Sequence, residues 1–186
     1  MAKHKPTTER RQILTFLGLG LAAVLFFTYA LSPYLETSSN VLIGKPAPVF
    51  TLRVIYGGEP GSRVNLEDLH GQVVLLDFWA SWCPPCRAQT PILDRVSKQL
   101  GTEQVTVLGV NTGDDEAAAV RFMRAQEAAY SSVIDATGAV GRAFGATELP
   151  TLVVLDGAGT VVAVERRLVP ELDILQLVKR AQVGGS

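Results

Sequence analysis

Two kinds of apolar run organise this chain. The first is Ile13 to Leu31, ILTFLGLGLAAVLFFTYAL, nineteen residues without a charge. A stretch apolar on every side predicts a helix with no polar face. At about 1.5 Å per residue it spans roughly 28 Å, close to the hydrocarbon thickness of a bilayer. The later runs are shorter and rich in β-branched residues. They predict strands over 50–56, 73–79, 105–110, 132–134, 151–155 and 161–165, with a short partner strand near Val64. Gly57-Gly58-Glu59-Pro60-Gly61 and Asp156-Gly157-Ala158-Gly159 read as hairpin turns. Between strands the spacing turns helical, predicting helices over 83–100, 115–128 (capped by Thr112 or Asp114), 139–144 and from Pro170 to about 178–181. Strands alternating with helices and closing on a hairpin and a helix predict an α/β domain, a central mixed sheet with helices on both faces.

Charge separates the two pieces. The whole chain carries 17 Lys+Arg and 18 Asp+Glu, a net −1, which argues against a broadly basic nucleic-acid binder. Lys3, Lys5, Arg10 and Arg11 precede the long apolar run, while the twelve residues after it hold only Glu36. The positive-inside rule then puts the N-terminus in the cytoplasm and the rest across the membrane, with Tyr29 and Tyr34 near the far interface. The expected organisation is a cytoplasmic tail over 1–12, a signal-anchor helix over 13–31, a tether over 32–43, a domain over 44–182 and a tail over 183–186. A cleaved signal peptide competes with the anchor. The nearest small-x-small site, Ala30-Leu31-Ser32, is followed at once by Pro33, a poor cleavage context.

The chemistry concentrates in Cys83-Pro84-Pro85-Cys86, which holds the only two cysteines. The pair follows a strand and opens a helix, where unpaired N–H groups and the positive end of the dipole favour an anion. Cys83 is thus the candidate thiolate nucleophile and Cys86, one turn on, the resolving thiol. Pro84 and Pro85 suit a first turn whose N–H groups have no helical partner to lose. A structural staple is disfavoured, since so small a loop contributes only about 2 kcal/mol. A zinc or copper site would need further ligands, and His70 is the sole nearby candidate. Asp77 is an acid inside an apolar strand. Burial there would raise its pKa and make it a proton acceptor for Cys86.

The stretch Asp77-Phe78-Trp79-Ala80-Ser81-Trp82-Cys83-Pro84-Pro85-Cys86-Arg87 strongly resembles the active-site segment of thioredoxin-fold proteins. With Gly44-Lys45-Pro46-Ala47-Pro48-Val49-Phe50-Thr51-Leu52 and Leu66-Glu67-Asp68-Leu69-His70-Gly71-Gln72-Val73-Val74, it is similar to the membrane-anchored TlpA/ResA-like branch of thiol–disulfide oxidoreductases. The resemblance implies a thioredoxin-like fold with an N-terminal β-hairpin extension, preceded by one transmembrane helix. It implies a redox-active Cys83–Cys86 disulfide and no cofactor. It also implies a cis Leu149–Pro150 loop facing the cysteines and, with Trp82, Pro84 and Pro85, contacting an extended substrate. Gln89 departs from the branch, where a Glu is common, and Asp77 stands where relatives often carry Asn. Pro91 is expected to kink the helix, as in thioredoxins. His70 reads as a solvated turn residue.

What the resemblance implies for function is disulfide reduction on exported proteins, in the periplasm or its equivalent. The electrons would come from a membrane thiol donor of the DsbD/CcdA kind. The clients would be CxxCH haem-attachment motifs of apocytochrome c, or copper-site cysteines. A copper-binding assembly factor and a disulfide-forming oxidase are the alternatives. A peroxiredoxin-like peroxidase wants Thr three residues before its Cys, where this chain has Ala80.

Overall fold

The computed structural model describes residues 13, 16–27, 42–59, 61–101 and 105–184, and the chain divides into two compact units, Met1–Ser39 and Asn40–Ser186. In the first unit residues 16–27 are helical and their apolar side chains are exposed. Among the described residues no helix is long and apolar enough to cross a membrane. The remainder of the predicted 13–31 anchor, and all but residues 42 and 43 of the 32–43 tether, lie outside the described residues.

The second unit is built on seven strands: β1 (Thr51–Tyr56), β2 (Arg63–Asn65), β3 (Val73–Trp79), β4 (Val105–Thr112), β5 (Ser131–Asp135), β6 (Thr151–Leu155) and β7 (Val161–Glu165). They form one sheet in the order β2-β1-β5-β4-β3-β6-β7. The helices are α1 (Pro84–Leu100), α2 (Glu116–Ala125), α3 (Ala139–Ala143) and α4 (Glu171–Gly184). The β3–β4 and β4–β5 pairs are parallel and every other pair is antiparallel. A parallel pair needs a crossover, and α1 and α2 provide the two here.

β3 is buried along its whole length, which explains its nearly unbroken apolar run. Alternation sends Val73, Leu75 and Trp79 into one core with Cys83, Cys86, Leu93, Met123, Leu152 and Ile174, beneath α1, α2 and α4. Val74, Leu76 and Phe78 enter the opposite core with Phe50, Val110, Phe144 and Val153. Phe144 lies 5.4 Å from the Phe78 ring and 6.1 Å from Phe50, contacts that each add about 0.5–1.5 kcal/mol beyond burial. The domain opening is stitched to the far hairpin: Gly44 N–H donates to the Val161 carbonyl at 2.8 Å, and Ala47 N–H to that of Gly159 at 2.9 Å. Gly159 has φ of +77°, and a Cβ there would stand 2.5 Å from His70 Nε2. His70 itself is exposed.

Several boundaries differ from the pattern-based expectation, and those of α2 and α4 do so for local reasons. The cap of α2 is Asp115, whose carboxylate accepts from Ala118 N–H at 2.9 Å, so neither Thr112 nor Asp114 serves. That helix stops at Ala125 because Glu127 turns left-handed (φ 49°) and Ala128 N–H folds back onto the Met123 carbonyl. Pro170 precedes α4, its carbonyl accepting from Ile174 N–H at 3.1 Å, and the helix continues to Gly184, inside the predicted 183–186 tail. Leu66–Leu69 forms a 3-10 helix, capped by the Asn65 side chain. Helix α1 runs unbroken through Pro91.

Candidate active site

The end of β3 and the start of α1 place the two cysteines. Parallel pairing carries β3 up to Trp79 opposite Asn111 of β4, after which Ala80, Ser81 and Trp82 turn the chain into α1. Cys83 is the N-cap of α1, with the two prolines at its first two helical positions. The Cys83 and Cys86 sulfurs are joined in a disulfide, with Cα atoms 5.3 Å apart. The backbone N–H of Cys86 donates to Cys83 Sγ at 3.2 Å, so a capping donor already points at the sulfur that would carry the anion. Cys83 is 2% exposed and Cys86 1%, so burial does not separate their roles. What distinguishes the two is position, Cys83 being the cap and Cys86 lying within the helix. Around them Trp82 (63% exposed), Pro84 and Pro85 form an open rim.

The turn before Cys83 is tied to β4 by Asp114. Its carboxylate accepts from Ser81 N–H at 2.5 Å and from Ser81 Oγ at 3.0 Å, and receives Asn111 Nδ2 at 3.0 Å. Arg87 donates to the Ser81 carbonyl at 3.3 Å and lies 5.4 Å above the Phe122 ring, which stacks on Trp79 at 4.8 Å. Trp79 Nε1 reaches Ser132 Oγ at 3.2 Å across Gly109. A Cβ on Gly109 would stand 2.9 Å from each of those atoms, so the tryptophan's path requires glycine there.

On the adjoining strand Thr151 pairs with Phe78, which sets the Glu148–Pro150 loop beside the end of β3. The Leu149–Pro150 bond is cis; Leu149 is half-buried and Pro150 buried. Thus the loop and the cysteine pair share one end of the sheet.

Asp77 lies beneath this end. It is 1% exposed, on the α1 side of β3, flanked in the sheet by Gly109 and Leu152. Loss of water pushes its pKa up to about 7, opposed by a hydrogen bond donated by Tyr130 Oη at 3.4 Å. Its other oxygen, Oδ1, has no hydrogen-bond partner among the described residues. Near neutral pH such a carboxyl can both take up and return a proton. Gln89, where the resemblance points to a glutamate, has a structural task. It is buried, donates Nε2 to the Val169 carbonyl at 3.3 Å and accepts Val169 N–H at Oε1 at 2.7 Å. An amide does both at any pH, whereas an ionised carboxylate can only accept. Gln89 therefore clamps the chain between β7 and α4 against α1.

Sequence reasoning missed Tyr130, Asn111 and the bracing role of Asp114. Tyr130 precedes a short strand and belongs to no motif. The tandem Asp114-Asp115 signals a helix cap without saying which aspartate turns back to Ser81. No cluster of three or more His, Cys, Asp or Glu suited to a metal is found among the described residues.

A mixed sheet with a helix-capping CxxC at the end of its buried central strand, faced by a proline loop, defines the thioredoxin-like thiol–disulfide oxidoreductases. Residues 42–176 match the family model described as Redoxin, and the chain belongs to that family. It is 33% identical over 156 residues to the thiol:disulfide interchange protein DsbE of Pseudomonas aeruginosa, covering 82% of each chain. It is 26% identical over 181 residues to the thiol-disulfide oxidoreductase ResA of Bacillus subtilis, covering 95% of this chain and 99% of that one. The crystal structure of a DsbF homologue from Corynebacterium diphtheriae aligns with a TM-score of 0.66 at 26% identity, over 73% of this chain and 86% of that one. The chain is a thiol–disulfide oxidoreductase.

Proposed function

We propose that this oxidoreductase works as a membrane-anchored reductant of protein disulfides on the outer side of the cytoplasmic membrane, with Cys83 as nucleophile, Cys86 as resolving thiol and Asp77 as proton acceptor. The observation that carries the reading is the Cys83 cap: its sulfur accepts the Cys86 N–H at the start of α1, directly over a buried strand that holds an acid. Reduced Cys83 attacks a substrate disulfide, forming a mixed disulfide and releasing one substrate thiolate. The Cys86 thiol gives its proton to Asp77 and attacks Cys83 Sγ. The bond to substrate breaks, leaving a reduced substrate and an oxidised Cys83–Cys86 pair. Trp82, Pro84 and Pro85 form the rim against which substrate docks, and the backbone at Leu149 and Pro150 receives its extended segment.

The nineteen uncharged residues from Ile13, the basic residues before them and the exposed apolar side chains of residues 16–27 support the anchor. Tethering raises the effective concentration of membrane-bound partners without new contacts. The relatives named DsbE and ResA support a place in exported thiol chemistry. The clients are CxxCH segments of apocytochrome c or copper-site cysteines, and the donor is a DsbD/CcdA-type membrane protein. Trapping with Cys86→Ser in native membranes tests this. Adducts on Cys83 with an exported CxxCH or copper-site protein and with a polytopic thiol protein are expected. Adducts confined to unrelated proteins, or none, would overturn the assignment of clients and donor.

A further inference from the structure

The core beneath the cysteines holds a second polar residue that the exchange cycle has not used. Tyr130, 3% exposed, enters β5 from the same side as Asp77 and donates its hydroxyl to Asp77 Oδ2. Thr90, buried on α1, donates its own hydroxyl to the Cys86 carbonyl at 3.0 Å. Two separate polar contacts therefore lie in this core, Tyr130 on the strand acid and Thr90 on the turn of helix that carries the resolving cysteine. Its neighbours within the sheet, those of Asp77, are apolar or lack a side chain: Leu75 and Trp79 on its own strand, and Gly109 and Leu152 beside it. The remaining ionisable group acting on this pair is Asp94 of α1, which repels a tyrosinate and is itself held by Lys98 and by Ala129 N–H.

We propose that Tyr130 is a positioning residue for thiol–disulfide exchange: its hydroxyl fixes the orientation of the Asp77 carboxylate and sets the pH at which that carboxylate takes the Cys86 proton. The inference rests on the reading of Asp77 as the proton acceptor. With Oδ2 engaged by Tyr130, Oδ1 is the oxygen left to receive the proton. A donor to a carboxylate favours its charged form, so Tyr130 works against burial and keeps the acid near neutrality. Burial and the Asp77 charge hold the phenol itself well above its ordinary range, so it stays protonated and keeps donating throughout the cycle. In the resolving step Cys86 loses its proton to Asp77, the new sulfur–sulfur bond forms to Cys83, and the electrons of the broken bond leave with the substrate thiolate. Tyr130 loses nothing.

The test uses the reduced full chain in mild detergent, mixed with 5,5′-dithiobis(2-nitrobenzoate). Attack by Cys83 releases one nitrothiobenzoate, and resolution by Cys86 releases a second in a separate phase. The rate of that second phase is followed from pH 5 to 9 for wild type, Tyr130→Phe, Asp77→Asn and the double variant. Tyr130→Phe is expected to move the midpoint alkaline by about one unit, a tenfold rise in proton affinity, the smallest effect expected of a hydrogen bond to a charged group. Asp77→Asn should remove the midpoint, and adding Tyr130→Phe to it should change nothing further. An unmoved midpoint in Tyr130→Phe, with Asp77→Asn still removing it, overturns the role of Tyr130 alone. An unmoved profile in Asp77→Asn overturns the proton-acceptor reading beneath it. Should Tyr130→Phe fold poorly, the wild type still decides. The Tyr130 13Cζ resonance must titrate with the Asp77 midpoint and stop doing so in Asp77→Asn, and a resonance blind to Asp77 refutes the contact.

Discussion

Asp77→Asn should make the protein more stable and less able to resolve mixed disulfides. An unfolded aspartate titrates near 3.9, whereas the buried Asp77 titrates at about 7. Between those values the folded state binds more protons than the unfolded one, so stability falls as pH rises. The penalty is absent below about pH 4 on this linkage and constant once the folded group has ionised. A shift of about three units corresponds to about 4 kcal/mol, a large share of the 5–15 kcal/mol typical of a domain. Asparagine keeps the shape, keeps an acceptor for Tyr130 and cannot ionise. The assay is guanidinium unfolding of the disulfide-closed protein at pH 4 and pH 8. Fluorescence is a direct probe, since Trp79 and Trp82, the only two tryptophans, both flank the site. The two proteins should differ little at pH 4, and the variant should lead by about 4 kcal/mol at pH 8. Parallel stability curves for the two proteins from pH 4 to pH 8 would refute the buried, proton-accepting aspartate.

Three further outcomes follow from contacts around the site. Gln89→Glu should destabilise the fold by about 1–3 kcal/mol at neutral pH, because a carboxylate faces the Val169 carbonyl where the amide donated. Thermal unfolding should show that loss shrinking in acid, where a protonated carboxyl can donate again. Gly109→Ala should cost about 1–3 kcal/mol by forcing apart Trp79 Nε1 and Ser132 Oγ, read as a lowered Tm with altered tryptophan fluorescence. Asp114→Ala should free Ser81 from both of its bonds to Asp114 and slow the first, Cys83-dependent thiol-release phase about tenfold or more, with far-ultraviolet circular dichroism unchanged.

Much of this architecture is legible in local pattern because its strands are short apolar runs broken by glycine and by helical spacing. β3 shows this best: burial on both faces leaves almost no polar residue in it, so Asp77 stands out against its neighbours. The CxxC is legible for a chemical reason, since a cysteine at a helix start meets unpaired N–H groups wherever the rest of the chain goes. Partnerships across the core are not legible that way. Tyr130 lies 53 residues from Asp77 and meets it only because β5 joins the sheet beyond β4. Asp114 and Asp115 look equivalent in sequence, and the path of the Ser81 turn is what divides their work. Gln89 reads as a missing acid until the Val169 backbone is seen to need both a donor and an acceptor.

The central claim, that Cys83 attacks and Cys86 resolves, is tested most directly by counting thiols released from 5,5′-dithiobis(2-nitrobenzoate) by the reduced full chain and its single variants. The account predicts two equivalents from wild type and one from Cys86→Ser, with nitrothiobenzoate retained on Cys83. It predicts no fast phase from Cys83→Ser. A fast first phase in Cys83→Ser and a trapped adduct on Cys86 would contradict it.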